Sequence, residues 1–155
     1  METRRGYASD RLSAKWARWQ TGEDIAAEPA NDWRENVVEQ TAAGKRFERV
    51  RLVDAAPTPG QRFLLASAPG NVTAGEDIRN LTRSQTEHLR LPNYDFWLFD
   101  SRIVAPFAFD EDDTNLGVYV TDDPAEVLAA CQARDAAWHH ALPTHEFARQ
   151  VTSTV

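Results

Sequence analysis

The sequence contains one cysteine in 155 residues, and this scarcity limits its chemistry. Cys131 can form no intramolecular disulfide, and neither a second thiol nor a suitably spaced histidine pair is present to complete a zinc site. The adjacent His139 and His140 would point roughly 100° apart on a helix, which is poor geometry for one shared metal. We therefore expect no metal site and no cofactor, and we interpret Cys131 as a small apolar helix residue.

Long apolar runs and an excess of positive charge are also absent. No stretch approaches the roughly 20 apolar residues of a membrane-spanning helix, and the N-terminal METRRGYASD lacks the apolar core of a signal peptide. We therefore expect a cytoplasmic protein without membrane contact. The formal net charge of −7 disfavours direct binding to nucleic acid, because such binding depends on cations that neutralise phosphates.

The sequence does have the composition of a globular domain, with 42% hydrophobic and 26% charged residues. Helical spacing predicts one helix in SDRLSAKWARWQTG and a second in DWRENVVEQTAAG, with Asp32 as the N-cap. A third helix is predicted from DDPAEV onward, because Asp122 or Asp123 can cap it and Pro124 suits its first position.

Period-two alternation predicts strands in RFERVRLVD, QRFLLASAP, DIRNLTR and LGVYVTDD. Two further strands, Asp95 to Asp100 and Ile103 to Phe109, are predicted to form a hairpin with Ser101 and Arg102 as its two-residue turn.

The order of these elements predicts an α+β fold. N-terminal helices are followed by a mixed, mostly antiparallel sheet of about six strands and by a C-terminal helix packed on the sheet. We divide the chain into an N-terminal helix and linker (1–31), an α+β core domain (32–142) and a flexible tail (143–155). The tail is expected to fray because it has little to bury.

Arginines alternate along the first predicted strand. Arg49 and Arg51 would stand on one face about 7 Å apart, and Arg79 lies on another strand. Two guanidinium groups in this arrangement could bind a phosphate or a carboxylate bidentately. The alternative that we favour is that they line a solvated face or pair with the surplus carboxylates of the chain.

The stretch LPNYDFWLFDSRIV is the most patterned part of the sequence. Alternation directs Phe96 and Leu98 to one face of its strand and Trp97 and Phe99 to the other. Because both faces are apolar, we expect a central strand covered on both sides. Asp100 is expected to cap the turn through neighbouring backbone N–H groups. The candidate residues for ligand or partner binding are Arg49, Arg51, Arg79, Asp95, Trp97 and Asp100.

Three segments, AGEDIRNLTR, LPNYDFWLFDSRIV and LGVYVTDDPAEV, resemble an uncharacterised family of actinobacterial cytoplasmic proteins with an LPxxDFWLFD signature. The resemblance covers about residues 33–142. Members of that family are commonly encoded beside helix-turn-helix regulators and small acidic accessory proteins. The resemblance therefore implies a regulatory or partner-binding role, and it implies no known reaction.

The element order around the hairpin is more distantly similar to one half of a phospholipase D-like domain, which would imply a His-x-Lys-x4-Asp motif. With Asp100 as the motif aspartate, Asn93 and Asp95 occupy the histidine and lysine positions, so the nucleophile and the cationic clamp are missing. His88, Arg90 and Asp95 satisfy His-x-Arg-x4-Asp, but in a polar loop rather than on a strand. We therefore assign no catalytic residue.

The leading hypothesis is a non-catalytic regulatory or partner-binding protein that acts with a helix-turn-helix transcription regulator. Trp16 and Trp19 could serve as interface anchors, although core packing explains them equally well. Two alternatives use an Arg/Asp cleft: an enzyme that processes phosphodiesters or nucleotides, and a sensor of a small anionic ligand. A homodimer is also compatible with the sequence.

Overall fold

The computed structural model describes residues 1–26 and 31–152, and side chains as far as residue 150. The predicted α+β class is confirmed. The helices are α1 (Ala8–Arg11), α2 (Ala14–Gln20), α3 (Asp32–Ala42), α4 (Pro59–Ala74), α5 (Pro124–His140) and α6 (Thr144–Thr152). The strands are β1 (Phe47–Val53), β2 (Glu76–Thr82), β3 (Phe96–Phe99), β4 (Ile103–Phe109), β5 (Asn115–Val118) and β6 (Leu142–Pro143).

The strands form two three-stranded sheets, with the orders β1-β2-β6 and β3-β4-β5. β1 and β2 are parallel, whereas the other pairs are antiparallel. The predicted hairpin is confirmed, but its turn is centred one residue earlier. Arg102 N donates to Phe99 O at 2.9 Å, and Asp100 and Ser101 both have positive φ, 49° and 56°. Positive φ at both central residues is the geometry of a type I′ turn.

The strand predicted in QRFLLASAP is wrong, because these residues belong to α4. The preceding TPG begins the helix, with Thr58 as the N-cap and Pro59 as the first helical residue. The Thr58 side chain accepts from Gln61 N at 3.2 Å, and the Gln61 side chain accepts from Thr58 N at 3.0 Å, which forms a capping box. Two adjacent parallel strands require a crossover connection, and α4 supplies it between β1 and β2.

The helix predicted after residue 123 is confirmed as α5, with Asp123 accepting from Ala125 N and Glu126 N. The fraying predicted after residue 143 is wrong for residues 144–150, which lie in α6. Phe147 in α6 is 2% exposed. Thr144 Oγ1 accepts from Asn80 Nδ2 at 2.9 Å. Residues 153–155 of the predicted tail lie outside the described residues.

The N-terminal helices differ in detail from the prediction. The first helix is divided into α1 and α2 by Ser13, whose side chain accepts from Trp16 N. Trp16 and Trp19 lie against buried Phe63 of α4, with ring centroids 5.0 and 5.7 Å away. These tryptophans therefore contribute to internal packing. α3 is confirmed, but its N-cap is Asn31 rather than Asp32.

The first three residues connect the two sheets. Glu2 N donates to Val50 O and Leu52 N donates to Glu2 O, both at 2.9 Å, along the edge of β1. Met1 exchanges two backbone hydrogen bonds with Phe96 of β3, at 2.7 and 3.1 Å. The sheets are therefore neighbours through this segment. The division at residues 31/32 and 142/143 stays a prediction, and residues 27–30 of the linker lie outside the described residues.

α5 covers the same side of both sheets. One apolar cluster joins Val50, Leu52 and Leu81 of the first sheet to Ala137 and Ala141. A second joins strand residues of β3 and β4 to α5, and its buried members are Phe96, Val104, Val127, Ala130 and Ala133. The opposite side of the first sheet contacts α4 and α6.

Candidate functional site

The three candidate arginines do not meet in one pocket. Arg49 and Arg51 share one face of β1, whereas Arg79 is the register partner of Val50. Because register partners point to the same side of a sheet, Arg79 lies on the opposite face. There its guanidinium carbon stands 3.9 Å from the Trp138 ring centroid on α5.

Arg49 and Arg51 converge on the carboxylate of Glu2. Arg49 Nη1 donates to Glu2 Oε1, and Arg51 Nε donates to Glu2 Oε2 at 2.5 Å. Arg51 is only 4% exposed, and its Nη1 donates to Leu64 O at 3.0 Å. Arg49 also donates to Glu76 Oε1 at 3.0 Å. Both arginines are thus paired with carboxylates of the protein itself. This is the alternative in which they bind the surplus carboxylates of the chain rather than a ligand.

Opposite charges within this cluster keep its members ionised. Burial would raise the pKa of Glu2, but the charges of Arg49 and Arg51 outweigh it and lower that pKa to about 2. Burial likewise works against the charge of Arg49, but Glu2 and Glu76 raise its pKa. Both partners therefore stay charged at neutral pH, and the cluster stabilises the junction between residues 1–3 and β1.

Asp95 is a buried acceptor rather than an exposed cleft residue. It receives hydrogen bonds from Thr3 N at 2.6 Å, Thr3 Oγ1 at 2.9 Å and Tyr7 Oη at 2.6 Å. Burial and then the negative charges of Glu2 and Asp95 raise the pKa of Tyr7. Tyr7 therefore remains a neutral donor, and Asp95 anchors the N-terminal segment to the loop before β3.

The alternative motif of His88, Arg90 and Asp95 is not assembled. His88 and Arg90 are exposed, while Asp95 is buried. Among the described residues, the side chains that donate to Asp95 belong to Thr3 and Tyr7. Arg90 has a φ of 49°, so it lies in a turn and not on a strand.

Trp97 belongs to an apolar sheet face that is open to solvent. The expectation that β3 is covered on both sides is wrong, because Trp97 and Phe99 are each 45% exposed. The predicted alternation itself is correct, since Phe96 and Leu98 lie in or against the α5 cluster on the opposite side. Asp100 is also exposed, and its backbone has the positive φ of 49° that the turn requires.

Register places six more apolar residues on this open side. Trp97 pairs with Ala105, Phe99 with Ile103, and Phe107 with Val118. Beyond β5, Tyr119 N donates to Pro106 O and Thr121 N donates to Val104 O, so Val120 lies beside Ala105. We call this the aromatic face; it comprises Trp97, Phe99, Ile103, Ala105, Phe107, Phe109, Val118 and Val120. Ala105 is buried and Phe107 and Phe109 are half-buried, whereas the other five are exposed.

The aromatic rings on this face contact one another in a row. Trp97 lies 5.8 Å from Phe99 and 5.7 Å from Phe107, and Phe107 stacks on Phe109 at 6.2 Å. Trp33 of α3 closes one end of the row, 5.9 Å from Trp97. The spacing within each pair suits edge-to-face and offset stacking. The row is therefore a pre-ordered apolar surface.

The chain matches the family model of the domain of unknown function DUF6879 over residues 1–149. It belongs to this family. No curated protein and no solved structure matches it. Membership in DUF6879 agrees with the expected uncharacterised family and carries no assigned reaction.

In this DUF6879 domain, the sequence placed Trp97 and Phe99 on one strand face, but of the aromatic face only Trp97 was predicted as a binding residue. The signal was present in β4, where Ile103, Phe107 and Phe109 recur with period two, but the strand was interpreted only as half of a hairpin. Within the described ranges, no group of three or more His, Cys, Asp or Glu side chains could hold a metal ion. None of the described helices has the length and apolar character of a membrane span.

Proposed function

We propose that this protein is a non-catalytic partner-binding protein that acts with a helix-turn-helix transcription regulator. The observation that carries the proposal is the aromatic face. Large exposed apolar patches are uncommon on monomeric proteins and commonly mark interaction sites. The partner class comes from the resemblance to actinobacterial proteins encoded beside such regulators.

The composition of the aromatic face favours a protein partner. Aromatic side chains provide much of the binding energy in interfaces, because they bury a large area at a small cost in side-chain entropy. Trp97 stands between Trp33, Phe99 and Phe107. Its neighbours restrict its ring before binding, which reduces the entropy lost on association.

The Arg/Asp alternatives have weaker support. A sensor of an anionic ligand, or an enzyme acting on phosphodiesters, needs cations free to meet the ligand. Arg51 is buried against Glu2, Arg79 lies on the other side of the sheet, and Asp95 already accepts three hydrogen bonds. The aromatic face is therefore better supported as the functional site than an Arg/Asp cleft.

The family resemblance leads us to expect a helix-turn-helix regulator encoded beside this gene, and titration calorimetry with that purified regulator tests the proposal. We expect Trp97→Ala and Phe99→Ala each to weaken binding by about 2 kcal/mol, roughly 30-fold in Kd. Leu128→Ala on α5 is the matched control, since Leu128 is also exposed but faces elsewhere, and it should leave Kd unchanged. An absence of binding by the folded wild type, or equal effects of all three variants, would refute the assignment.

A further inference from the structure

The net charge of the protein is concentrated in one segment. Residues 103–133 contain no lysine, arginine or histidine, and they contain seven acidic residues. The other 17 acidic residues equal in number the 17 lysines and arginines. The formal net charge of −7 therefore belongs to this segment, which includes β4, β5 and the start of α5.

Six of these seven carboxylates lie at the two ends of β5. The strand is preceded by Asp110, Glu111, Asp112 and Asp113. The residues that extend the strand are followed by Asp122 and Asp123. Asp113 is paired with Arg4 and Arg11. Among the described residues, the other acidic side chains at the two ends form no ion pair.

The outer edge of β5 is unpaired within the described chain, where β5 is the last strand of the order β3-β4-β5. Tyr119 N and Thr121 N donate to β4. Because alternate residues of an antiparallel strand point their amides in opposite directions, Val118 and Val120 direct theirs outward. The outward row of N–H and C=O groups can pair with another strand.

This edge lacks the features that usually prevent strand pairing. Proteins protect exposed edges with charged residues, proline or a covering segment. The sequence from Asn115 to Thr121, NLGVYVT, contains neither charge nor proline, and Val120 is 60% exposed. The side chains of Val118 and Val120 belong to the aromatic face, so a strand added here would extend that face.

We propose that the outer edge of β5 binds an extended, cationic segment of a partner protein as an added strand. The inference rests on the proposed partner-binding function and specifies the chemistry of the partner. Main-chain hydrogen bonds to Val118 and Val120 hold the added strand, and alternate apolar side chains continue the aromatic face. Lysines or arginines on either side of the apolar core meet the carboxylates at the two ends of β5.

A second copy of this chain is a poorer occupant. Antiparallel pairing of β5 with β5 of another copy would place Asp110 to Asp112 of one molecule beside Asp122 and Asp123 of the other. Like charges placed opposite one another on paired strands are destabilising. A cationic segment converts the same contacts into attraction and accelerates association.

The test uses the full chain and synthetic peptides with one alternating Thr/Val core. One peptide has three lysines at each end, a second has three glutamates there, and a third has the lysines with its alternate amides N-methylated. We expect the lysine peptide to bind at least about tenfold more tightly than the other two, with an affinity that falls as salt rises. Chemical-shift changes should centre on the amides of Val118 and Val120.

Two variants of the protein complete the test. Val120→Pro removes one outward amide at a position where an edge strand tolerates proline. The triple variant Asp110→Asn, Glu111→Gln, Asp112→Asn removes charge but retains Oδ1 of residue 110, which accepts from two turn amides. Each should weaken binding of the lysine peptide about tenfold. Circular dichroism checks that both fold.

The outcomes separate this inference from the proposed function. Equal binding of the lysine and glutamate peptides, retained binding of the N-methylated peptide, or no binding at all would overturn it. A wild-type dimer that Val120→Pro converts to a monomer would assign the edge to a second copy instead. If Trp97→Ala weakens regulator binding while Val120→Pro and the triple variant do not, partner binding stands and the added strand is refuted.

Discussion

Glu2→Gln is the substitution that tests the internal role of the arginine pair most directly. The amide keeps the shape of the side chain and one acceptor, but it removes the charge that two guanidinium groups share. Arg51 is buried, so solvent cannot replace the lost charge. Arg49 retains Glu76 as its second partner.

The expected cost follows from the pKa of Glu2. Its pKa is about 2 in the folded protein, against an ordinary value of 4.5, which corresponds to about 3 kcal/mol of stability at neutral pH. Removing one partner of a buried ion pair typically costs about 3–5 kcal/mol, which agrees in size. For a chain of this length, we expect a fall in Tm of roughly 6–12 °C.

The pH dependence has a defined sign. Because the pKa of Glu2 is lower in the folded state than in the unfolded state, its contribution is complete above pH 4.5 and is lost as the pH falls toward 2. The difference in unfolding free energy between wild type and Glu2→Gln should therefore narrow by roughly 1 kcal/mol between pH 7 and pH 3.5.

Urea unfolding at several pH values, followed by circular dichroism, measures both effects. A C-terminal purification tag is required, because the Met1 amino group donates to Phe96 O. Asp77→Asn is the control, since Asp77 pairs with Arg79 at 3.3 Å on an exposed surface and should contribute less than about 0.5 kcal/mol. If the two variants lose equal stability, or if the Glu2→Gln difference is independent of pH, the reasoning is wrong.

Three further substitutions test the packing of the fold. Phe147→Ala should cost about 3–5 kcal/mol in urea unfolding, because Phe147 is a buried side chain of α6. A loss below about 1 kcal/mol would contradict the docking of α6. Tyr7→Phe removes a hydroxyl that donates to Asp95 at 2.6 Å, and it should lower the free energy of unfolding by about 1–3 kcal/mol. An unchanged denaturation midpoint would contradict that hydrogen bond. Gly75→Ala should lower Tm, since Gly75 has a φ of 118°, which a residue with a Cβ rarely adopts. An unchanged Tm would contradict the positive φ at this position.

Local signals in the sequence predicted the elements whose stability is mainly local. Asp122 or Asp123 as the cap and Pro124 at the first position marked the start of α5, because capping and proline geometry depend on adjacent residues only; the structure selects Asp123. The alternation of β3 correctly separated Phe96 from Trp97. For α4, the short apolar run could not distinguish strand from helix, and the deciding fact, parallel pairing of β1 with β2, involves residues distant in sequence.

The candidate site was harder to predict than the fold. Arg51 and Glu2 are separated by 49 positions, so no local pattern could show that the arginines are neutralised internally. Trp97 was selected as a candidate for its place in a conspicuous motif. Its exposure depends on α5 covering only one side of the second sheet.

The sequence by itself determined the α+β class, the alternation of the strands, the cap of α5 and the location of the excess negative charge, because each depends on residue type and short spacing. Tertiary structure alone decided that Arg49 and Arg51 pair with an internal carboxylate, that residues 1–3 join the two sheets and that the aromatic face is not covered by a helix. These outcomes depend on which distant segments pack together, and local propensity carries no information about that choice.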